Sequence, residues 1–182
     1  MKAVFISISL FLLFSFAKPK ESVYGQSTDL LEQINSFNDE KIILIIKDIN
    51  EVIDSKDPKV VLARELCQDL REKKKKCVLG YVNSSRLIKK LASNEKPEYI
   101  NDVKEVGMLF RRLHKHYNDM LYYTSRMEKN PESYKTRTIA ILNKKMNMIK
   151  GVQSRLQAKT AKLAEINAWE KKFAPSNIIM NN

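Results

Sequence analysis

The longest periodic pattern of apolar residues in this chain lies between Pro97 and Met127. Its members are alternately four and three residues apart, which keeps them on one side of an α-helix and is the spacing of a coiled-coil seam. Eight of the nine members are apolar or aromatic. They are Tyr99, Val103, Val106, Phe110, Leu113, Tyr117, Met120, Thr124 and Met127. The pattern predicts one long helix that packs on its neighbours through this seam.

Helical spacing of apolar residues recurs in three other segments, and prolines mark where helices begin. Pro58, Pro97 and Pro131 each follow a polar residue, and proline at the first helical position gives up no hydrogen bond. The predicted helices cover residues 28–54, 58–92, 97–127 and 131–173. We therefore predict an all-α fold, an elongated bundle of about four long helices. The last two should form a central antiparallel coiled-coil-like hairpin, because their connection is short.

Two places should disturb these helices. Asn38 and Asp39 are expected to bend the first helix. Gly80 lies inside the second helix, where glycine costs about 1 kcal/mol relative to alanine, so a kink or break is expected there. The whole chain has only four glycines and five prolines, which are too few turn residues for an all-β fold.

The first residues have the pattern of a secretory signal peptide. Met1 and Lys2 precede an uncharged run over residues 3–17, which matches the basic and apolar regions of such a signal. A membrane-spanning helix needs roughly 20 apolar residues, so an uncleaved anchor is only the alternative. We favour cleavage after Ala17, with Gly25 as the second choice. The predicted organisation is a signal peptide over residues 1–17 or 1–25, a helical domain over residues 28–173 and a disordered tail over residues 174–182.

The net charge of +12 is divided unevenly along the chain. Residues 18–57 contain five lysines and nine acidic residues, whereas residues 58–182 contain 27 basic and 12 acidic residues. Either the acidic first helix packs along the basic ones and neutralises them, or a polyanion-binding face remains. The candidate polyanion-binding residues are Lys73, Lys74, Lys75, Lys76, Arg111, Arg112, Lys115, Lys144 and Lys145. The predicted signal peptide argues against nucleic acid and favours glycosaminoglycans or an anionic membrane surface.

The two cysteines, Cys67 and Cys77, are expected to remain thiols. Ten residues of continuous helix separate them by ~15 Å, whereas a disulfide needs Cα atoms within ~7 Å. A turn of the chain between the two cysteines, or a bridge between two molecules, is the alternative.

The sequence predicts no catalytic, metal-binding or cofactor-binding residues. His114 and His116 are two residues apart, so on a helix they lie on different faces and cannot chelate one metal ion. Phosphate-binding glycine loops and the E-x-x-H pattern of di-iron bundles do not occur in the sequence. The chain is therefore predicted not to be an enzyme. Residues 83–85 form an N-glycosylation sequon, which predicts a glycan on Asn83 in a eukaryotic host.

The order of these segments carries a resemblance to a known family. An acidic amphipathic helix follows the signal peptide, then a long helix with Ser-Ser-Arg-Leu-Ile at residues 84–88, the heptad seam, and a basic helix with Ile-Ala-Ile-Leu-Asn-Lys-Lys-Met at residues 139–146. This layout resembles the periplasmic coiled-coil proteins of bacterial conjugation (type IV secretion) machinery. The resemblance implies an exported, non-enzymatic scaffold in the periplasm or cell envelope, acting through protein partners or self-association. The alternative is a secreted basic helical effector that binds a host protein or a polyanion outside the cell.

Overall fold

A computed structural model describes residues 25–172, and this part of the chain is all-α, without a strand. The helices are α1 (Gln26–Asn35), α2 (Glu40–Glu51), α3 (Lys56–Ser93), α4 (Ile100–Lys129), α5 (Thr136–Gln157) and α6 (Thr160–Lys172). Short 3-10 turns at Pro97–Tyr99 and Pro131–Ser133 precede α4 and α5. The predicted all-α elongated bundle of long helices is confirmed. The predicted signal peptide and tail lie outside the described residues, as does Phe173.

The helices form a bundle of four columns. α3 and α4 are each one column; α1 with α2 forms the third, and α5 with α6 the fourth. α3 and α4 run antiparallel, since Arg64 Nε lies 3.0 Å from Glu128 Oε1 and the Gly80 backbone lies against the ring of Phe110. The predicted hairpin of the seam helix and the next one is present as α4 and α5. The packing of α3 on α4 is more extensive than that of α4 on α5.

The first and last predicted helices are each divided in two. The first is interrupted where Asn38 and Asp39 were expected to bend it, whereas the predicted continuity of the last helix is wrong. At the break in the first, the backbone N–H of Glu40, the first residue of α2, donates to Asn38 Oδ1 at 2.8 Å. Phe37 fills the break: its ring centroid lies 6.0 Å from that of Phe110. In the last, a two-residue turn at residues 158–159 separates α5 from α6.

The predicted break at Gly80 is absent, because α3 continues through it. The glycine is needed for close packing instead. A Cβ atom built on Gly80 would lie 2.6 Å from two ring carbons of Phe110, well inside van der Waals contact. Gly80 therefore makes room for the largest apolar ring of the α4 seam.

We expect Gly80→Ala to lower the free energy of unfolding by about 1–3 kcal/mol, because overpacking of a well-filled core has this cost. The matched control is Gly151→Ala in α5, where an added Cβ meets nothing within 4 Å. Alanine is the better helix former, so this control should be more stable by about 0.5–1 kcal/mol. Urea denaturation measures both, and equal effects of the two changes would contradict the packing role of Gly80.

The seam of α4 forms the centre of the core. Its members from Val103 to Met127 are buried, and Tyr99 is half-buried and packs against them. The polar member, Thr124, donates a hydrogen bond from Oγ1 to the carbonyl oxygen of Met120 at 2.9 Å, so its burial leaves no unpaired hydroxyl. Within residues 25–172, no helix combines the length and hydropathy that crossing a membrane requires.

Candidate functional site: a basic groove between α3 and α4

A groove runs along the outer surface between α3 and α4, and we call it the α3–α4 groove. It consists of two adjoining hollows of about 210 and 320 Å³ that share Val78 and His114. The residues lining it are Arg71, Lys74, Lys75, Cys77, Val78, Tyr81, Arg111 and His114. Apolar and aromatic side chains thus form the floor, and cations surround it.

The cations gather here because of how α3 and α4 pair. Residues 73–93 of α3 contain no aspartate or glutamate, and neither do residues 106–118 of α4. The antiparallel packing places these two segments side by side, with Gly80 against Phe110 and Ser84 against Gly107. Two stretches without acidic residues therefore form one continuous surface.

The groove cations are not neutralised by the protein. Among residues 25–172, the ion pairs within 4.0 Å leave out Arg71, Lys74, Lys75 and Arg111. Uncompensated cations around a concave surface raise the local positive potential and attract anions.

Neutral groups hold two of these cations in place. Lys74 Nζ donates to Asn118 Oδ1 at 2.6 Å. The guanidinium of Arg111 lies 4.0 Å from the ring centroid of Tyr81 and donates a hydrogen bond to its hydroxyl. Stacking on an aromatic ring restrains an arginine without removing its charge. Both contacts therefore orient the cations and leave them available to an anion.

His114 and Cys77 of the groove are neutral near pH 7. Burial is the main cause that lowers the pKa of His114, and the positive charge of Lys74 is the second cause. Burial, followed by the negative charge of Asp39, raises the pKa of Cys77 to about 12. Burial likewise raises the pKa of Cys67 to about 11. Both cysteines are free thiols in the continuous helix α3, as predicted.

Three of the nine predicted polyanion-binding residues, Lys74, Lys75 and Arg111, line the groove. Lys115 is exposed on α4, one turn beyond Arg111. Arg71 was not among the nine predicted residues, although it precedes Lys74 and Lys75 by three and four residues. That spacing was the available signal, since such residues share a helix face.

The remaining predicted residues are dispersed over the bundle. Lys73 is turned inward and lies 3.3 Å from Asp39 Oδ1. Lys76 pairs with Glu72 at 3.3 Å, and Lys145 pairs with Asp119 at 2.5 Å. The last two candidates, Arg112 and Lys144, are exposed but do not line the groove. The run of four lysines thus divides between the core, the groove and the opposite side of α3.

Other candidate residues stand apart from the groove. Asn83 of the sequon lies inside α3 and is 8% exposed. His114 and His116 belong to no cluster of three or more potential metal ligands within residues 25–172. The predictions of glycosylation at Asn83 and of no enzymatic activity stay predictions.

A buried polar cluster lies at the break between α1 and α2, and it had no counterpart in the sequence analysis. Asp39 Oδ2 accepts hydrogen bonds from Tyr117 Oη and Gln153 Nε2, both at 2.7 Å. Its other oxygen faces Lys73 Nζ, which also donates to the carbonyl of Asn38. Burial and the charge of Asp39 raise the pKa of Tyr117, so its hydroxyl stays protonated as a donor. This Asp39 cluster joins all four columns of the bundle.

Comparison with known proteins finds no matching family model, no matching curated protein and no matching solved structure. The resemblance to conjugation proteins therefore stays a prediction, and the function must be argued from the groove itself.

Proposed function

We propose that this protein is a non-enzymatic helical binding protein that holds a polyanion in the α3–α4 groove. The observation that carries the proposal is the convergence of four cations, Arg71, Lys74, Lys75 and Arg111, on one concave surface without a carboxylate partner. Cations elsewhere in the bundle, such as Lys145 and Lys159, lie within 4 Å of carboxylates instead.

The geometry suits sulfate or phosphate groups spaced along a chain. Arginine can donate two parallel hydrogen bonds to such an anion, and lysine supplies a compact charge beside it. The α3 wall offers both types of cation, and the α4 wall offers Arg111. Its elongated shape follows the two helices, so successive anionic groups of a polymer could be bound along it.

The position of the acidic helices α1 and α2 supports the proposal, because they lie away from the α3–α4 groove. α1 and α2 pack against α3, and α2 also packs against α5. Lys41 of α2 even pairs with two acidic residues of α3, Glu65 at 3.1 Å and Asp69 at 3.0 Å. The acidic column therefore leaves the α3–α4 groove uncovered. The predicted signal peptide supports a polyanion outside the cytoplasm.

The test is heparin chromatography of a triple variant, Arg71→Gln, Lys75→Gln and Arg111→Gln. We expect the variant to elute at clearly lower salt than the parent protein. Its affinity should also depend less on salt, because a protein with fewer cations releases fewer counterions from heparin when it binds. The measured quantity is the salt concentration at elution together with the slope of log affinity against log salt.

The matched control removes the same charge from another surface through Arg137→Gln, Lys144→Gln and Lys150→Gln. These three residues are exposed on α5. This control should elute close to the parent protein. If both triple variants shift equally, net charge rather than the groove determines binding and the proposal is wrong.

A further inference from the structure

The face that contains the groove also exposes apolar side chains among its cations. Val78 is 48% exposed and Met108 is 53% exposed. On each helix, one of these apolar residues belongs to a stripe of residues spaced three and four apart, which also contains cations. The stripes are Arg71, Lys75, Val78 and Val82 on α3, and Lys104, Met108, Arg111 and Lys115 on α4.

Binding of a soluble polyanion does not explain why exposed apolar side chains lie among these cations. Sulfated or phosphorylated polymers offer charge and hydroxyl groups, and an exposed valine or methionine gains nothing from contact with them. Lysine and arginine beside exposed apolar side chains are instead typical of helices that lie at a lipid interface. There the apolar side chains enter the boundary of the acyl chains while the cations remain at the anionic headgroups.

We infer that the occupant of this face is an anionic lipid surface, on which the protein lies with α3 and α4 parallel to the membrane plane. The inference rests on the proposed function and names its partner. The α3 stripe, over residues 71–82, is about 17 Å long at 1.5 Å per residue. Charge complementarity supports the inference, because residues 73–93 of α3 and residues 106–118 of α4 contain no carboxylate.

The test places a polarity-sensitive fluorophore on this face through Met108→Cys. The native thiols, Cys67 and Cys77, are buried and have raised pKa values, so the new surface thiol is labelled selectively. The control position is Leu44→Cys on α2, which is 57% exposed and lies outside the α3–α4 face. The probes are vesicles of phosphatidylcholine with or without about a third phosphatidylglycerol, a composition chosen to resemble the charge of an anionic leaflet.

We expect the fluorophore at position 108 to shift to shorter wavelength with the anionic vesicles only, and the fluorophore at position 44 to remain unchanged. Adding Arg71→Gln, Lys75→Gln and Arg111→Gln should raise the lipid concentration for half-maximal shift about 100-fold, since each cation near the surface contributes about a factor of five. Equal shifts at both positions, or none at position 108, would overturn the inference. If heparin binding then still depends on the groove residues, the proposed function survives and its partner is a soluble polyanion.

Discussion

Phe110→Asp is expected to unfold the bundle. Phe110 is fully buried, packs against Gly80 and lies 6.0 Å from Phe37 between ring centroids. The change removes a large aromatic side chain, at a cost of about 3–5 kcal/mol, and introduces a carboxylate that has no partner in the core. Because a domain of this size is stable by only about 5–15 kcal/mol, the sum approaches or exceeds the total. Leu113→Asp, one seam position later, should act in the same way.

Circular dichroism at 222 nm during heating measures the result: we expect loss of the cooperative transition or a very large fall in its midpoint. The control is Met108→Asp, which puts the same carboxylate on the exposed side of α4, two residues from Phe110. It should change the free energy of unfolding by about 0.5 kcal/mol or less. A Phe110→Asp protein that melts like this control would show that the seam is not the core.

Asp39→Ala is expected to lower the free energy of unfolding by about 3–5 kcal/mol, which is typical when one partner of a buried ion pair is removed. The change leaves the inward-facing Lys73 without its carboxylate. It also removes the acceptor shared by Tyr117 and Gln153. Urea denaturation measures the loss, and Asp29→Ala, an exposed aspartate of α1, is the matched control with little expected effect.

A second substitution separates the ion pair from general disruption at this position. Lys73→Met in the Asp39→Ala protein removes the stranded cation, so it should restore about 1–2 kcal/mol of the lost stability. If Lys73→Met is equally destabilising with and without Asp39, the two side chains do not interact and the Asp39 cluster has no energetic role.

The sequence predicted the parts of the fold that follow from apolar periodicity. The α4 seam and the long α3 depend on local spacing and are confirmed. The predicted first helical positions of the prolines are wrong: α3 begins two residues before Pro58, and Pro97 and Pro131 begin 3-10 turns that precede α4 and α5. Only a bend was predicted where α1 and α2 are separated, because the full break depends on tertiary contacts. Phe37 turns into the core and Asp39 bonds across to α4 and α5, and neither contact is visible in one segment alone.

Charged residues on apolar stripes were the signal that could have identified the buried polar contacts. Lys59 continues the stripe of Ala63 and Leu66, and its Nζ donates to the carbonyl oxygen of Ile53 at 2.5 Å. Glu170 continues that of Leu163 and Ile166 and accepts a hydrogen bond from the backbone N–H of Ser27 at 3.1 Å. Their spacing predicts burial, whereas their partners lie far away in the chain and could not be deduced.

The candidate site could be predicted only in part for the same reason. The basic composition of α3 and α4 was evident, but composition does not say which cations are paired. Lys73 and Lys74 are neighbours in sequence, yet one is inward-facing beside Asp39 and the other lines the groove. The carboxylates that neutralise a lysine are assigned by the packing of helices.

The uninterrupted helices α3 and α4 have a consequence for how the bundle loses its structure. Each passes the level at which the α1–α2 column is broken, so both ends of the molecule share the same two helices. If one end loses its native packing, apolar residues of α3 and α4 become exposed. The other end packs on the same two helices and is destabilised as well. We therefore expect the bundle to unfold as a single cooperative unit. Because α3 and α4 follow each other in the sequence, the contacts between them should favour rapid folding.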